Sequence, residues 1–255
     1  MLGRSALAAV AAAMLLVAGA AQAGAEPPAP PAPIDPPPVQ PANIGDLKTE
    51  ATHYYDSGAY LTDLQLAAAP AVAWIDEEAA RVDRPAVVFD IDETALSNWE
   101  VIEANDFGRV IDGPCTELPQ GPCGWRAWDL TAQSTVIGPT MDVFTAARDR
   151  GAAVFFITGR DDSQRVATER NLAAVGYTGY TQLIMEPVGA HFASASDFKA
   201  PQRADIEEQG YTIIANMGDQ PSDLDGYFAA ENWDETGFVF PSPMLFYRLC
   251  CNICR

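Results

Sequence analysis

The sequence predicts an α/β fold with a mainly parallel central sheet flanked by helices, and two observations carry that reading. Three short apolar runs, Ala86-Val87-Val88-Phe89, Ala153-Val154-Phe155-Phe156-Ile157 and Tyr211-Thr212-Ile213-Ile214-Ala215, have the unbroken hydrophobicity of strands buried on both faces. The second and third each follow a helix-like segment closed by glycine, Thr140 to Gly151 and Pro201 to Gly210. Strands alternating with helices of this length give parallel pairing, and ligands then bind beyond the carboxyl ends of the strands.

Ahead of the first strand, apolar residues from Ile44 to about Ala80 recur at helical spacing, which predicts two helices joined near Gly58. Gln182 to Met185 and Gly237 to Phe240 read as weaker strands. Residues 24–42 are dominated by Pro and Ala, a composition that extends rather than packs, and read as a linker. Before them, Arg4 precedes an apolar stretch ending in Ala21-Gln22-Ala23, the pattern of a leader removed after Ala23. The expectation is an exported protein, periplasmic or secreted, with no stable membrane anchor once residues 1–23 are gone, and one domain over residues 43–255.

Fifteen Lys and Arg against 35 Asp and Glu give a formal charge of −20, which repels a phosphate backbone and excludes nucleic-acid polymers as partners. Cys115 and Cys123 flank a Pro/Gly-rich stretch that a disulfide could staple, whereas the pairing of Cys250, Cys251 and Cys254 stays open.

The polar residues fall just beyond the ends of the strong strands: Asp90-Ile91-Asp92-Glu93-Thr94, Thr158-Gly159-Arg160-Asp161-Asp162 and Gly218-Asp219-Gln220-Pro221-Ser222-Asp223. A fold of this type brings them to one crevice. Converging carboxylates raise one another's pKa unless a cation sits among them, and Mg²⁺ suits an all-oxygen set. Two aspartates two residues apart can divide the labour of phosphoryl transfer, one as nucleophile and one as general acid and base.

These segments resemble the haloacid dehalogenase (HAD) superfamily, and within it the acid phosphatases of subfamily IIIB, related to plant vegetative storage proteins and bacterial class C enzymes. The resemblance rests on Phe89 to Trp99, on Phe156-Ile157-Thr158-Gly159-Arg160, on Lys199 with Arg203, and on Gly218 to Leu224, and it covers residues 44–247. It implies a Rossmann-like HAD fold with a cap inserted at about 97–138. It also implies Asp90 as nucleophile, Asp92 as general acid and base, and phosphate binding by Thr158, Gly159, Arg160 and Lys199. Mg²⁺ would be held by Asp90, the backbone carbonyl of Asp92 and Asp219, with Asp223 in support. The implied substrates are small phosphate monoesters, nucleoside monophosphates among the candidates.

Some residues keep two readings. Arg160 suits either a substrate phosphate or a neighbouring carboxylate, Arg203 is expected to brace the site, and His191 reads as a surface histidine. Trp99, Phe107, Trp125 and Trp128 lie in the inserted segment, where packing is the default and stacking on a substrate ring the alternative. The rivals to an enzyme are a storage or ligand-binding protein on the same fold and a Ca²⁺-binding module. Retention of Asp90, Asp92, Lys199, Asp219 and Asp223 counts against the first, and the Thr158 and Lys199 motifs have no purpose in the second.

Overall fold

The computed structural model describes residues 43–224 and 237–239. The leader and Pro-rich segment, the end of the last expected strand at Phe240, and Cys250, Cys251 and Cys254 lie outside the described residues. In chain order the elements are α1 (Ile44–Asp56), α2 (Ala59–Glu78), β1 (Pro85–Phe89), β2 (Leu96–Ser97), α3 (Trp99–Ala104), α4 (Trp125–Thr131) and β3 (Thr135–Val136). There follow α5 (Gly138–Asp149), β4 (Ala153–Asp161), α6 (Arg165–Val175), β5 (Gln182–Glu186), α7 (Ala195–Glu208), β6 (Thr212–Gly218) and β7 (Gly237–Val239). Single 3-10 turns occupy Asp162–Gln164 and Pro221–Asp223.

Among the described residues, five parallel strands pair in the order β5-β4-β1-β6-β7. The strand order reverses at β1, so the crevice above β1 is the place where such a sheet binds ligands. Alternate residues of the strands face opposite layers. Val87, Phe89, Val154 and Phe156 pack with Leu64, Ile75, Val143 and Phe144 of α2 and α5. Ala86, Val88, Phe155 and Ile157 pack with Phe198 and Ile206 of α7. Burial on both faces is why these runs show no polar alternation.

The helices start where their caps are. Asn43 accepts the Gly45 and Asp46 N–H groups to open α1, and Gly58, at φ +78°, turns the chain into α2. The helix read from Pro201 begins earlier, at Ala195, because Ser194 and Asp197 form a capping box, and Pro201 is carried inside it. Strand β4 runs four residues past its apolar core to Asp161, with a register shift against β5 between Thr158 and Asp161. Among the described residues no helix is long and apolar enough to cross a membrane.

Strand β6 carries a bulge. Ala86 pairs with Ile213 and Val87 with Ala215, so Ile214 is left over in the ladder. Its carbonyl accepts the indole Nε1–H of Trp74 from α2 at 2.8 Å. The segment between β2 and β3 is closed at its base by their antiparallel pairing, Leu96 to Val136 and Ser97 to Thr135. Inside it a Cys115–Cys123 disulfide staples the loop, and Asn105 exchanges two hydrogen bonds with the Cys123 backbone at 2.7 and 2.8 Å.

Trp74→Phe keeps an aromatic side chain, though a smaller one, and removes the donor, leaving the Ile214 carbonyl without this partner. The expected loss is about 1–3 kcal/mol, read as a lower denaturant midpoint at unchanged slope. No change in midpoint would mean that the indole N–H does not hold the bulge.

Candidate active site

Asp90 leaves the end of β1 with its N–H bonded to the Met217 carbonyl of β6 at 2.9 Å, which pins the nucleophile candidate to the sheet. Its Oδ1 accepts from Lys199 Nζ at 2.6 Å, and the same ammonium reaches Asp223 Oδ1 at 2.6 Å. The capping box that starts α7 at Ser194 therefore places a lysine 5% exposed between two carboxylates from different strand ends. Asp223 is brought back to β6 by the turn at Pro221, where its Oδ2 accepts the Gln220 N–H at 3.0 Å. That return needs Gly218, since a Cβ there would stand 2.2 Å from the Asp223 side chain.

Asp90, Asp219 and Asp223 each offer an oxygen within 4.8 Å of the others. Burial pushes the Asp90 carboxyl up to about 7 against the pull of Lys199, with Asp223 and Asp92 adding to the rise. Asp219 is raised well above the usual carboxylate range by burial and by Asp90, Asp223 and Glu93. Its Oδ2 has a hydrogen bond from Gln220 Nε2 at 3.0 Å, but Lys199 serves the other two acids. Buried acids with too little positive charge among them fit a divalent cation, whose charge would remove their mutual repulsion.

Asp92 lies at the same strand end in a different environment. Burial opposes its charge, but the Arg160 guanidinium holds its carboxyl below the usual range. Arg160 Nη2 meets Asp92 Oδ1 at 2.6 Å and Nε approaches both oxygens at 3.1–3.2 Å. Of the two readings of Arg160, the structure therefore has it paired to carboxylates, with Asp129 Oδ1 also 3.2 Å from Nη2. Thr158 is fully buried, its Oγ1 accepting the Arg160 N–H at 3.1 Å, while Gly159 and Arg160 line the cavity.

One asparagine organises the loop after Asp92. Asn98 Nδ2 donates to Asp92 Oδ1 at 2.8 Å and to Glu93 Oε2 at 3.2 Å. Its Oδ1 accepts from Trp128 Nε1 at 2.8 Å and Ser134 Oγ at 2.7 Å. Glu93 sits at φ +57°, its Oε1 accepting the Asn98 N–H at 2.7 Å. Burial and the Asp92 charge push the Glu93 carboxyl up to about 8.

A cavity of about 920 Å³ opens above these groups. Trp125 of α4 lines it, with the Arg109 guanidinium 5.5 Å above its ring, and Arg126 at the rim pairs with Asp161. His191 also lines it and is exposed. Of the four aromatics in the inserted segment only Trp125 faces the cavity. Trp99 stacks on Tyr55 and meets the edge of Phe107, and Trp128 is buried. Arg203 is buried and donates to the Ser222 carbonyl at 3.2 Å, beside Asp223. Sequence reasoning did not single out Asp129 or Gln164, and it quoted Glu93 without a role. Asp129 and Gln164 sit in segments without periodicity or a recognisable spacing, so only the folded chain brings them in, whereas Glu93 lies inside the first motif.

Comparison with known proteins shows which family the chain resembles. The chain is similar to acid phosphatase 1 of Solanum lycopersicum, 28% identical over 160 residues that make up 62% of this chain and 58% of that one. It is also similar to vegetative storage protein 1 of Arabidopsis thaliana, 28% identical over 62% of this chain and 54% of that one. The chain thus spans less than two thirds of either relative. The class C acid phosphatase from Bacillus anthracis with tungstate bound superposes with a TM-score of 0.61 at 21% identity, over 78% of this chain and 85% of that one, a likeness of fold. The family model described as HAD superfamily, subfamily IIIB (acid phosphatase) matches residues 38–248, most of the sequence and all of the site, and the chain belongs to that family.

Proposed function

We propose that the chain is an exported, Mg²⁺-dependent acid phosphatase that hydrolyses small phosphate monoesters through an aspartyl-phosphate on Asp90. The observation that carries this reading is the Asp90 carboxylate at the cavity floor, in contact with Lys199 and grouped with Asp219 and Asp223.

Asp90 attacks phosphorus in line, forming the Asp90 oxygen–phosphorus bond as the ester P–O bond breaks. Lys199 balances the negative charge of the phosphoryl oxygens. Asp92 delivers a proton to the departing oxygen and then removes one from the water that cleaves the aspartyl-phosphate. Arg160 keeps Asp92 ionised in the ligand-free protein, and a phosphate dianion entering beside it works in the opposite direction, favouring the proton. Asp90, the Asp92 carbonyl and Asp219, with Asp223 behind them, would hold Mg²⁺, which supplies charge neutralisation at the transferring group. Thr158 and Gly159 belong to the phosphate cradle in this reading, with Arg160 acting on phosphate only indirectly.

Residues 97–138 act as the cap over the cavity, a role supported by the β2–β3 closure and by Trp125 and Arg109 on its wall. The leader at residues 1–23 and the Cys115–Cys123 disulfide support export. The similarity to a vegetative storage protein gives a second reading, a catalytically weak storage or ligand-binding protein on the same fold.

Mg²⁺-dependent hydrolysis of p-nitrophenyl phosphate is expected, abolished by EDTA and lowered about 10³-fold or more in Asp90→Asn. No turnover on aryl, sugar or nucleoside phosphates between about pH 4 and 8 would favour the storage reading.

The carboxyl shifts also set a pH dependence of stability. Asp90 and Asp129 rise from 3.8 to about 7 and Glu93 from 4.5 to about 8, so the metal-free folded protein binds protons that the unfolded chain has released. Its stability therefore falls as pH climbs from about 4 to 8. Added Mg²⁺ is expected to raise the Tm more at pH 8 than at pH 5, because fewer protons compete with it. Thermal unfolding in EDTA and in Mg²⁺ checks this, and a larger metal-induced shift at pH 5 would contradict it.

A further inference from the structure

Asp129 lies on α4, in the segment that covers the cavity, and neither the phosphoryl-transfer scheme nor the metal group uses it. Its carboxylate is 2% exposed. Oδ2 accepts from Gln164 Nε2 at 2.7 Å, and Oδ1 stands 3.2 Å from Arg160 Nη2. Two carboxylates thus share one buried guanidinium, and burying an acid on an otherwise apolar helix face is costly unless that pairing is needed.

The effect of the pairing falls on Asp92. Its Oδ1 takes bonds from Arg160 Nη2 at 2.6 Å and Asn98 Nδ2 at 2.8 Å, whereas Oδ2 has one longer contact, with Arg160 Nε at 3.1 Å. Oδ1 is held and Oδ2 is the oxygen left for proton transfer. Arg160 fixes that rotation only while its own plane is fixed. Beyond Asp92 itself, the guanidinium is held by the charge of Asp129, whose Oδ1 lies 3.2 Å from Nη2 as an ion pair without hydrogen-bond alignment, and by a long 3.4 Å contact from Nη1 to Thr168 Oγ1.

We propose that Asp129 is a positioning residue: anchored by Gln164, it orients Arg160 so that the guanidinium presents Asp92 Oδ2 to the leaving-group oxygen. The inference rests on the phosphatase reading above and ties the covering segment to proton delivery, not to the attack by Asp90.

Leaving groups separate these two steps. p-Nitrophenolate departs without a proton, whereas an alkoxide requires one as the P–O bond breaks. In Asp129→Asn, kcat/KM for β-glycerophosphate is expected to fall about tenfold or more, and that for p-nitrophenyl phosphate by less than about threefold. Gln164→Ala, which releases Asp129 and also frees the Asp161 N–H that Gln164 Oε1 accepts, should show the same asymmetry to a smaller degree, and it serves as the reading if Asp129→Asn does not fold. A general loosening of the fold would lower both esters equally, so equal losses, or none, in the folded variant overturn the proposal. Absence of turnover on either ester by the unmodified chain would remove the phosphatase reading and this one with it. Wild-type turnover with no asymmetry in the variants removes this one alone.

Discussion

The structure depends on placing several carboxylates at one end of a parallel sheet with a single lysine among them. Asp90 and Asp223 come from the ends of different strands, and each would repel the other in a buried site without Lys199 between them. Much of the surrounding architecture serves that arrangement. The capping box at Ser194 sets where α7 begins and hence where Lys199 points, and the small residue at 218 lets the chain fold back close enough for Asp223 to reach it. Burial and its acidic neighbours raise the Asp219 carboxyl well above the usual range, so a charged Asp219 is unfavourable in the metal-free fold, as expected where function rather than stability determines the residues.

A second polar group sits beside the first with the opposite balance. Around Asp92 the guanidinium of Arg160 and several hydrogen bonds hold the carboxyl below its usual range, whereas burial pushes Asp90, two residues earlier, up to about 7. These shifts belong to the metal-free protein and run opposite to the roles proposed for the two acids, so a cation beside Asp90 and a phosphate dianion beside Asp92 would each reverse one of them. Asn98 joins this group to the segment between β2 and β3, because its amide faces Asp92 and Glu93 while its oxygen takes bonds from Trp128 and Ser134.

The strand ends were legible in the sequence because strands buried on both faces leave unbroken apolar runs, and any acid directly after such a run stands out. Asp90 stood out in this way, Thr158 and Asp219 by their place just beyond the ends of the other two strong runs, and the sheet with its two helical layers followed from the same runs. The beginning of α7 was displaced because Pro201 imitates a first helical residue, whereas the Ser194–Asp197 box that opens the helix is two polar side chains in a polar stretch. The continuation of β4 to Asp161 was hidden because polar residues there keep extended backbone without an apolar signature. The inserted segment was opaque for a different reason. Its helices span six and seven residues, too short for a hydrophobic period, so the burial of Asp129 and the choice of Trp125 as the cavity aromatic depend on contacts distant in sequence.

The bulge at Ile214 sets the phase of the strand that follows it. On the β1 side the ladder places Val87 opposite Ala215 instead of Ile214, so every later residue of β6 is turned over relative to an unbroken pairing. Met217 thereby joins the face that holds Phe89, and the chain reaches Asp219 in the correct half-turn to meet Asp90. The extra residue works as a vernier between two parallel strands. Insertions or deletions in β6 would change the handedness of approach of the whole acidic turn, while the same change in the loop before Thr212 leaves the phase intact.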